Sequence, residues 1–116
     1  MASIEDLQHR LKLFAEERDW EQFHSPKNIV MALIVEAAEL VEHFQWLKEE
    51  ESEKLSGDKL QQVKYEMADI LVYLLRLSER LDIDLLAAVE EKMVVNAKKY
   101  PVDKVKGSAK KYNEYE

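Results

Sequence analysis

Four acidic residues occur as two pairs with i, i+3 spacing. Glu36 and Glu39 form the first pair, and Glu66 and Asp69 form the second. Both pairs lie in segments with a helical pattern, where residues three apart share a face, and each pair borders the apolar stripe of its segment. If the two helices pack antiparallel, all four carboxylates converge at one place in the fold.

Four convergent carboxylates are costly unless a cation balances them, because like charges repel and burial removes the water that solvates them. A hard divalent cation meets this need, and an all-oxygen donor set favours Mg²⁺, with Mn²⁺ as an alternative. Mg²⁺ also keeps bound waters and commonly binds substrate phosphates. The opposing interpretation is that both pairs are solvated helix flanks, since acidic pairs at this spacing are common.

The composition excludes several classes of protein. The chain has 116 residues, a net charge of −7 and no cysteine, so disulfides, thiolate zinc sites and cysteine nucleophiles are excluded. An acidic balance argues against duplex nucleic-acid binding, which usually uses a basic face. No apolar run approaches the roughly 18 residues of a membrane span, and the first residues lack the pattern of a signal peptide. We therefore expect a cytoplasmic protein with no membrane partner.

Apolar residues at three- and four-residue steps predict four amphipathic helices joined by short connections. The predicted N-caps include Ser3, Ser25 and Asp84. The predicted helices span residues 3–18, 25 to about 50, about 58 to 81, and 84–100. These features indicate an all-α four-helix bundle with mostly antiparallel neighbours. We expect a helical domain over residues 1–101 and a polar, lysine-bearing tail over residues 102–116.

The acidic pairs and their surroundings resemble a known family. The order E-x-x-E followed by E-x-x-D matches the signature of the MazG-like superfamily of all-α nucleoside triphosphate pyrophosphohydrolases. The runs ERDWEQFH (17–24) and ELVEHFQW (39–46) resemble its dCTP pyrophosphatase branch. So do Lys92, Met93, Asn96 and the Tyr100-Pro101 pair that follows them. The resemblance covers about residues 3–101.

The resemblance implies an enzyme that splits the α–β phosphoanhydride of a nucleoside triphosphate, releasing a monophosphate and pyrophosphate. The expected substrate is dCTP or a related pyrimidine nucleotide, and the expected role is nucleotide-pool housekeeping. By the family pattern, the catalytic residues are Glu36, Glu39, Glu66 and Asp69, and these four acids bind Mg²⁺. Glu39 is the acid best suited to activate water. It also implies a homotetramer built from two tight dimers, with the site near a subunit interface.

The same resemblance assigns six residues to substrate binding. Aromatic faces stack with any base, so base preference needs polar groups at the base edge, and His24 is one candidate. The expected base-pocket residues are Trp20, His24 and Trp46, and the expected phosphate contacts are Tyr73, Lys92 and Asn96. The opposing interpretations are a core Trp46, a surface Lys92, a buried Asn96 and a half-buried Tyr73.

Two aromatic residues, and one position that differs from the family pattern, concern the base pocket. Phe14 and Phe23 are further candidates for it, although the pattern favours Phe14 as a core residue. Leu11 stands where the dCTP-preferring members are expected to carry a polar residue, often histidine, which leaves room for a broader pyrimidine range.

Two other classes of protein are alternatives to this interpretation. A ferritin-like di-iron bundle needs Glu-x-x-His on two helices, and Glu21 with His24 provides the only such spacing. A non-enzymatic, oligomeric helical interaction module would leave the acids as solvated flanks and would need no divalent metal. Subunit contacts are expected from the apolar residues outside the main stripes, namely Val30, Ile34, Val41 and Val72.

Overall fold

The computed structural model describes residues 2–108, and every regular element within that range is helical. This confirms the all-α class. No helix of the described range is long and apolar enough to cross a membrane. The elements are α1 (Ile4–Glu17), a 3-10 turn (Glu21–Phe23), α2 (Pro26–Phe44), α3 (Glu49–Ser52), α4 (Gly57–Arg80), α5 (Leu85–Lys99) and α6 (Val102–Val105).

Three predicted helix starts are confirmed by their caps. Ser3 and Asp6 form a capping box, in which the Asp6 amide donates to Ser3 Oγ at 3.1 Å. Ser25 Oγ accepts the amide of Asn28 at 3.2 Å, and Asp84 caps α5 in the same way. Each cap satisfies a first-turn N–H that lacks a partner within the helix.

The second helix is shorter than the pattern predicts. It ends at Phe44 rather than near residue 50, and Glu49–Ser52 forms the separate helix α3. The Lys48 amide donates to the Glu51 carboxylate at 3.0 Å, at the start of α3. Negative charge is favourable at a helix N-terminus and unfavourable at a C-terminus, so the acidic run begins a new helix. Leu47, which the predicted second helix includes, therefore lies outside α2.

α2 and α4 pack against each other in antiparallel orientation. His43, near the end of α2, meets Lys59, near the start of α4, with Nδ1 and Nζ 3.4 Å apart. Two turns earlier in α2, Glu36 meets Glu66, which lies two turns further along α4. α1 also packs on α4. The buried apolar side chains of these helices are Ala15, Ile29, Val63 and Leu75.

The chain divides into two compact units, Met1–Asp82 and Ile83–Glu116. The first unit contains α1 to α4, and the second contains α5 and α6. The boundary expected after residue 101 stays a prediction. Residues 109–116 of the expected tail, with Lys110 and Lys111, lie outside the described residues.

The Ser25 cap provides a test of the fold. Replacing Ser25 with alanine should lower the free energy of unfolding by about 1 kcal/mol, because an amide of the first turn of α2 loses its acceptor. Urea unfolding at fixed protein concentration measures the change. Ser56→Ala is the matched control, since Ser56 precedes α4 without a side-chain capping bond. Equal losses in both variants would contradict the role of the cap.

Candidate active site

Three of the four predicted acids converge between α2 and α4. Glu36, Glu39 and Glu66 each offer a carboxylate oxygen, and these oxygens all lie within 4.8 Å of one another. All three residues are partly buried. Asp69 lies one turn after Glu66 on α4, is exposed, and does not belong to this group. We call Glu36, Glu39 and Glu66 the carboxylate group.

The three side chains of the carboxylate group repel one another. A side-chain hydrogen bond with Glu66, burial, and the negative charges of Glu39 and Glu66 raise the pKa of Glu36 to about 7. The salt bridges found among the described residues join none of the three acids to a basic side chain. The protein therefore supplies no direct counter-charge to these carboxylates within the described range.

The donor chemistry of the carboxylate group fits a hard divalent cation. Glu66 Oε2 is buried and accepts no hydrogen bond from the described residues, and a buried acceptor without a donor is costly. A cation would satisfy this oxygen and would offset the repulsion that raises the pKa of Glu36. Three clustered carboxylate oxygens are ligands that Mg²⁺ or Mn²⁺ accepts.

A cavity of about 340 Å³ connects the acids to an aromatic wall. Glu36, Asp69 and Tyr73 line one part of it, and burial followed by the charges of Glu36 and Asp69 raises the pKa of Tyr73. The Tyr73 hydroxyl therefore remains a hydrogen-bond donor at neutral pH. Further lining side chains include Leu11, Phe14, Trp20, His24, Val72 and Arg76.

The aromatic wall consists of Phe14, Trp20 and His24. The Phe14 and Trp20 rings meet edge to face with centroids 5.9 Å apart, and the Trp20 and His24 centroids are 6.4 Å apart. Phe14 is 48% exposed, so its expected place in the core is wrong. Phe23 is exposed and lies outside this lining. Leu11 makes part of the lining apolar.

A tight reversal after α1 positions this wall. Asp19 adopts a positive φ of 54°, and the Trp20 amide donates to the Ala15 carbonyl at 2.9 Å. The 3-10 turn Glu21–Phe23 then separates Trp20 from His24. Both side chains therefore line the same cavity although neither belongs to a long helix.

Sequence reasoning missed the ion pairs that hold this turn on α4. Arg76 is 3% exposed, and its Nη2 donates to Glu21 Oε1. Its Nη1 donates to Glu79 Oε2 at 3.1 Å, and Arg80 Nη1 donates to Glu21 Oε2 at 3.2 Å. One signal was present in the sequence, because Arg76 interrupts an apolar stretch of α4 and lies one turn after Tyr73.

This cationic environment acts on His24. Burial, followed by the positive charge of Arg76 and a smaller effect of Arg80, lowers the pKa of His24, while the charge of Glu21 opposes the shift. The imidazole is therefore mainly neutral at pH 7. A neutral imidazole presents one donor nitrogen and one acceptor nitrogen.

Three predicted substrate residues lie away from this cavity or in the other unit. Trp46 is 87% exposed in the turn after α2, so its core interpretation is wrong, and it does not line the cavity. Lys92 and Asn96 lie one turn apart on α5 in the second unit, and both are exposed. A buried Asn96 is therefore also wrong. The binding roles of all three residues stay predictions.

Comparison with known proteins gives consistent matches. Residues 31–115 match the model of the MazG-like family. The chain is 43% identical over 114 residues to dCTP pyrophosphatase 1 of Bos taurus, covering 97% of this chain and 68% of that protein. The human protein of the same name is 40% identical, with 97% and 67% covered. A crystal structure of a pyrophosphatase from Archaeoglobus fulgidus superposes with a TM-score of 0.76 at 36% identity, covering 87% of this chain and 94% of that one.

The raised pKa of Glu36 predicts how the stability of the metal-free protein depends on pH. Because the folded state binds this proton more tightly than the unfolded state, the contribution is complete below pH 4.5 and is lost as pH rises through about 7. In EDTA, Tm should therefore fall over this range, and Glu36→Gln should flatten the fall. Thermal unfolding monitored by circular dichroism measures both profiles.

Glu42→Gln is the matched control for that experiment. Glu42 lies on the same helix and is exposed, so its amide variant should keep the wild-type slope. The same slope in Glu36→Gln and Glu42→Gln would contradict the electrostatic account of the carboxylate group.

Proposed function

The chain belongs to the MazG-like family, in the dCTP pyrophosphatase-like branch, and from this premise we propose its reaction. It is a Mg²⁺-dependent nucleoside triphosphate pyrophosphohydrolase that releases a monophosphate and pyrophosphate. The observation that carries the proposal is the carboxylate group, whose oxygens lie within 4.8 Å of one another. Glu36 from this group also lines the cavity that Trp20 and His24 border.

The acids of α2 and α4 have two proposed roles. Glu36, Glu39 and Glu66 hold the metal, and Asp69 contributes from the next turn of α4. When bound, Mg²⁺ would neutralise the triphosphate, polarise the attacked phosphorus and favour ionisation of water. Glu39 is the acid we assign to orienting or deprotonating the attacking water.

Three donors are proposed to bind the phosphates. Tyr73 lines the cavity beside Glu36 and Asp69, where its hydroxyl is suited to donate to a phosphate oxygen. Lys92 and Asn96 share one face of α5, and their assignment rests on the family resemblance. A cation and an amide suit an anionic leaving group, because hydrogen bonds that involve charge are stronger than neutral ones.

The aromatic wall is proposed to bind the base of dCTP or a related pyrimidine nucleotide. The cavity volume of about 340 Å³ lies in the range of small-molecule sites. The curated relatives named above carry dCTP in their names, which supports this choice. The apolar Leu11 leaves room for further pyrimidine or modified nucleotides.

The working assembly is proposed to be a homotetramer of two dimers, in which four-helix bundles are completed. Ile34 is 63% exposed on α2, and Val30 and Val41 are also exposed. Such a contiguous apolar face is typical of a protein–protein contact. Val72, expected at the same contacts, lines the cavity, and its subunit contact stays a prediction. In the assembly, Trp46 would serve the site of a neighbouring subunit. The cytoplasmic location stays a prediction.

Pyrophosphate release from a panel of canonical and modified dNTPs and NTPs tests the reaction. Release from dCTP should require Mg²⁺ and stop in EDTA. Asp69→Asn and Glu39→Gln should abolish it while leaving the circular dichroism spectrum unchanged, because each removes a carboxylate of the metal site. Asp58→Asn is the matched control, since Asp58 is exposed on the first turn of α4.

Three outcomes of that panel would change the proposal. Equal pyrophosphate release from nucleotides with every base would support the proposed reaction, but it would show that the aromatic wall does not select the base. Normal turnover in Asp69→Asn would remove that residue from the metal site. No release from any nucleotide would leave the non-enzymatic helical module as the better interpretation.

Replacing Trp46 with alanine tests its role in the base pocket. The KM for dCTP should rise by about tenfold or more with a smaller change in kcat, because stacking stabilises substrate and transition state alike. Steady-state kinetics measures both constants. Trp46→Phe is the control that retains a stacking face, and it should recover most of the affinity.

Mixed assemblies then test whether Trp46 acts on a neighbour. Subunits carrying Trp46→Ala combined with subunits carrying Asp69→Asn should regain sites in which both residues are wild type. An unchanged KM in Trp46→Ala would place this residue outside the base pocket.

A further inference from the structure

Two buried polar atoms at the aromatic end of the cavity lack a partner. His24 Nδ1 and Arg76 Nε accept or donate no hydrogen bond within the described chain, and both residues line the cavity. A buried polar atom without a partner is costly, and such atoms are uncommon in native proteins. Their occurrence in one cavity indicates that a ligand satisfies both.

The Arg76 guanidinium is fixed before any ligand binds. Its Nη2 is held by Glu21 and its Nη1 by Glu79, and Arg80 holds the second oxygen of Glu21. A guanidinium is planar, so fixing the two terminal nitrogens also fixes the direction of the Nε–H bond. Nε is therefore a preorganised donor, without a partner, on a residue that lines the cavity.

His24 provides the complementary group. The groups of the 3-10 turn and of α4 that act on its ring are Arg76, Glu21 and Arg80, and burial adds to the effect of the two arginines. The ring is mainly neutral at pH 7, so it has one nitrogen able to accept a hydrogen bond. The cavity thus offers a fixed donor and a potential acceptor.

We propose that Arg76 is a specificity-determining residue that donates its Nε–H to an acceptor on the nucleobase. The inference rests on the proposed function and adds the choice of base. Cytosine carries an acceptor nitrogen at ring position 3 beside a 4-amino donor, and His24 Nδ1 accepts from that amino group. Uracil and thymine carry N–H at ring position 3, which would oppose the donor of Arg76 and leave it unpaired.

The position of Arg76 on α4 suits this role. It lies one turn after Tyr73 and two turns after Asp69, so about 10 Å of helix separates it from the acidic end of the cavity. A nucleotide spans such a distance between its base and its phosphates. Leu11, an apolar lining residue of α1, offers no hydrogen bond to a base, so the polar contact falls to α4 and to His24 after the 3-10 turn.

Calorimetric binding with added Mg²⁺ tests the inference. The probes are the non-hydrolysable α,β-imido analogues of dCTP and dUTP, and inorganic triphosphate as a ligand without a base. Arg76→Lys keeps the positive charge but lacks Nε. It should weaken binding of the dCTP analogue by about 10- to 100-fold, as expected for loss of a hydrogen bond to a charged donor. Binding of triphosphate should change less than twofold, and the preference for the dCTP analogue over the dUTP analogue should shrink.

Two variants separate base recognition from support of the turn. Glu21→Gln keeps an oxygen that can accept from Nη2 of Arg76, and the bond from Nη1 to Glu79 is unaltered. It should therefore weaken binding of the dCTP analogue less than Arg76→Lys does. Arg80 is the other arginine bound to Glu21, and Arg80 does not line the cavity. The Arg80→Lys variant should therefore bind all three probes as the wild type does.

Wild-type protein supplies a second measurement that does not depend on the folding of a variant. An imido analogue with 3-deazacytosine, which has C–H in place of the ring acceptor, should bind at least about tenfold more weakly than the dCTP analogue. Equal binding of these two analogues would overturn the inference. So would equal losses for nucleotide and triphosphate in Arg76→Lys, or equal losses in Arg76→Lys and Glu21→Gln.

These results remain distinct from the test of the reaction. Nucleotide binding without pyrophosphate release would contradict the proposed hydrolysis, while the binding differences would still decide the role of Arg76. Failure of the wild type to bind the dCTP analogue would overturn the inference about Arg76.

Discussion

The mutual repulsion of acidic side chains between α2 and α4 is the constraint on which the site depends. Antiparallel packing brings Glu36, Glu39 and Glu66 together, and that arrangement is unfavourable without a cation. The protein tolerates it because the apolar stripes of the same two helices pack beside it, with Ile29 and Val63 buried. The energy gained from helix packing thus maintains a site that is suited to a cation and is strained in its absence.

A second electrostatic arrangement has the opposite character. The buried Arg76 is paired with Glu21 and Glu79, so its charge is compensated where that of the carboxylate group is not. Removing one partner of a buried ion pair is usually strongly destabilising. This pairing fixes the 3-10 turn on α4, and α4 carries both Asp69 at the acidic end of the cavity and Arg76 at its aromatic end. One rigid helix relates the two ends of the cavity.

Many large apolar side chains are exposed on the described part of the chain. Ile34, Val41 and Trp46 are all more than half exposed, and few side chains are fully buried within the described range. A small chain buries a smaller share of its surface than a large one. The association of copies proposed above would cover this surface.

The sequence by itself determined the four long helices, three of their caps and the i, i+3 spacing of each acidic pair, because these depend on local hydrogen bonds and on periodicity along one element. It also determined the family, since the signature residues are read directly. Only the tertiary structure decided that Glu36, Glu39 and Glu66 meet without Asp69, that Phe14 lines a cavity, and that Arg76 pairs with Glu21. The partners in that ion pair lie 55 residues apart, and no helical or strand period relates positions so distant. Contacts of that kind depend on how the elements pack, and the packing is fixed by the summed burial of many side chains.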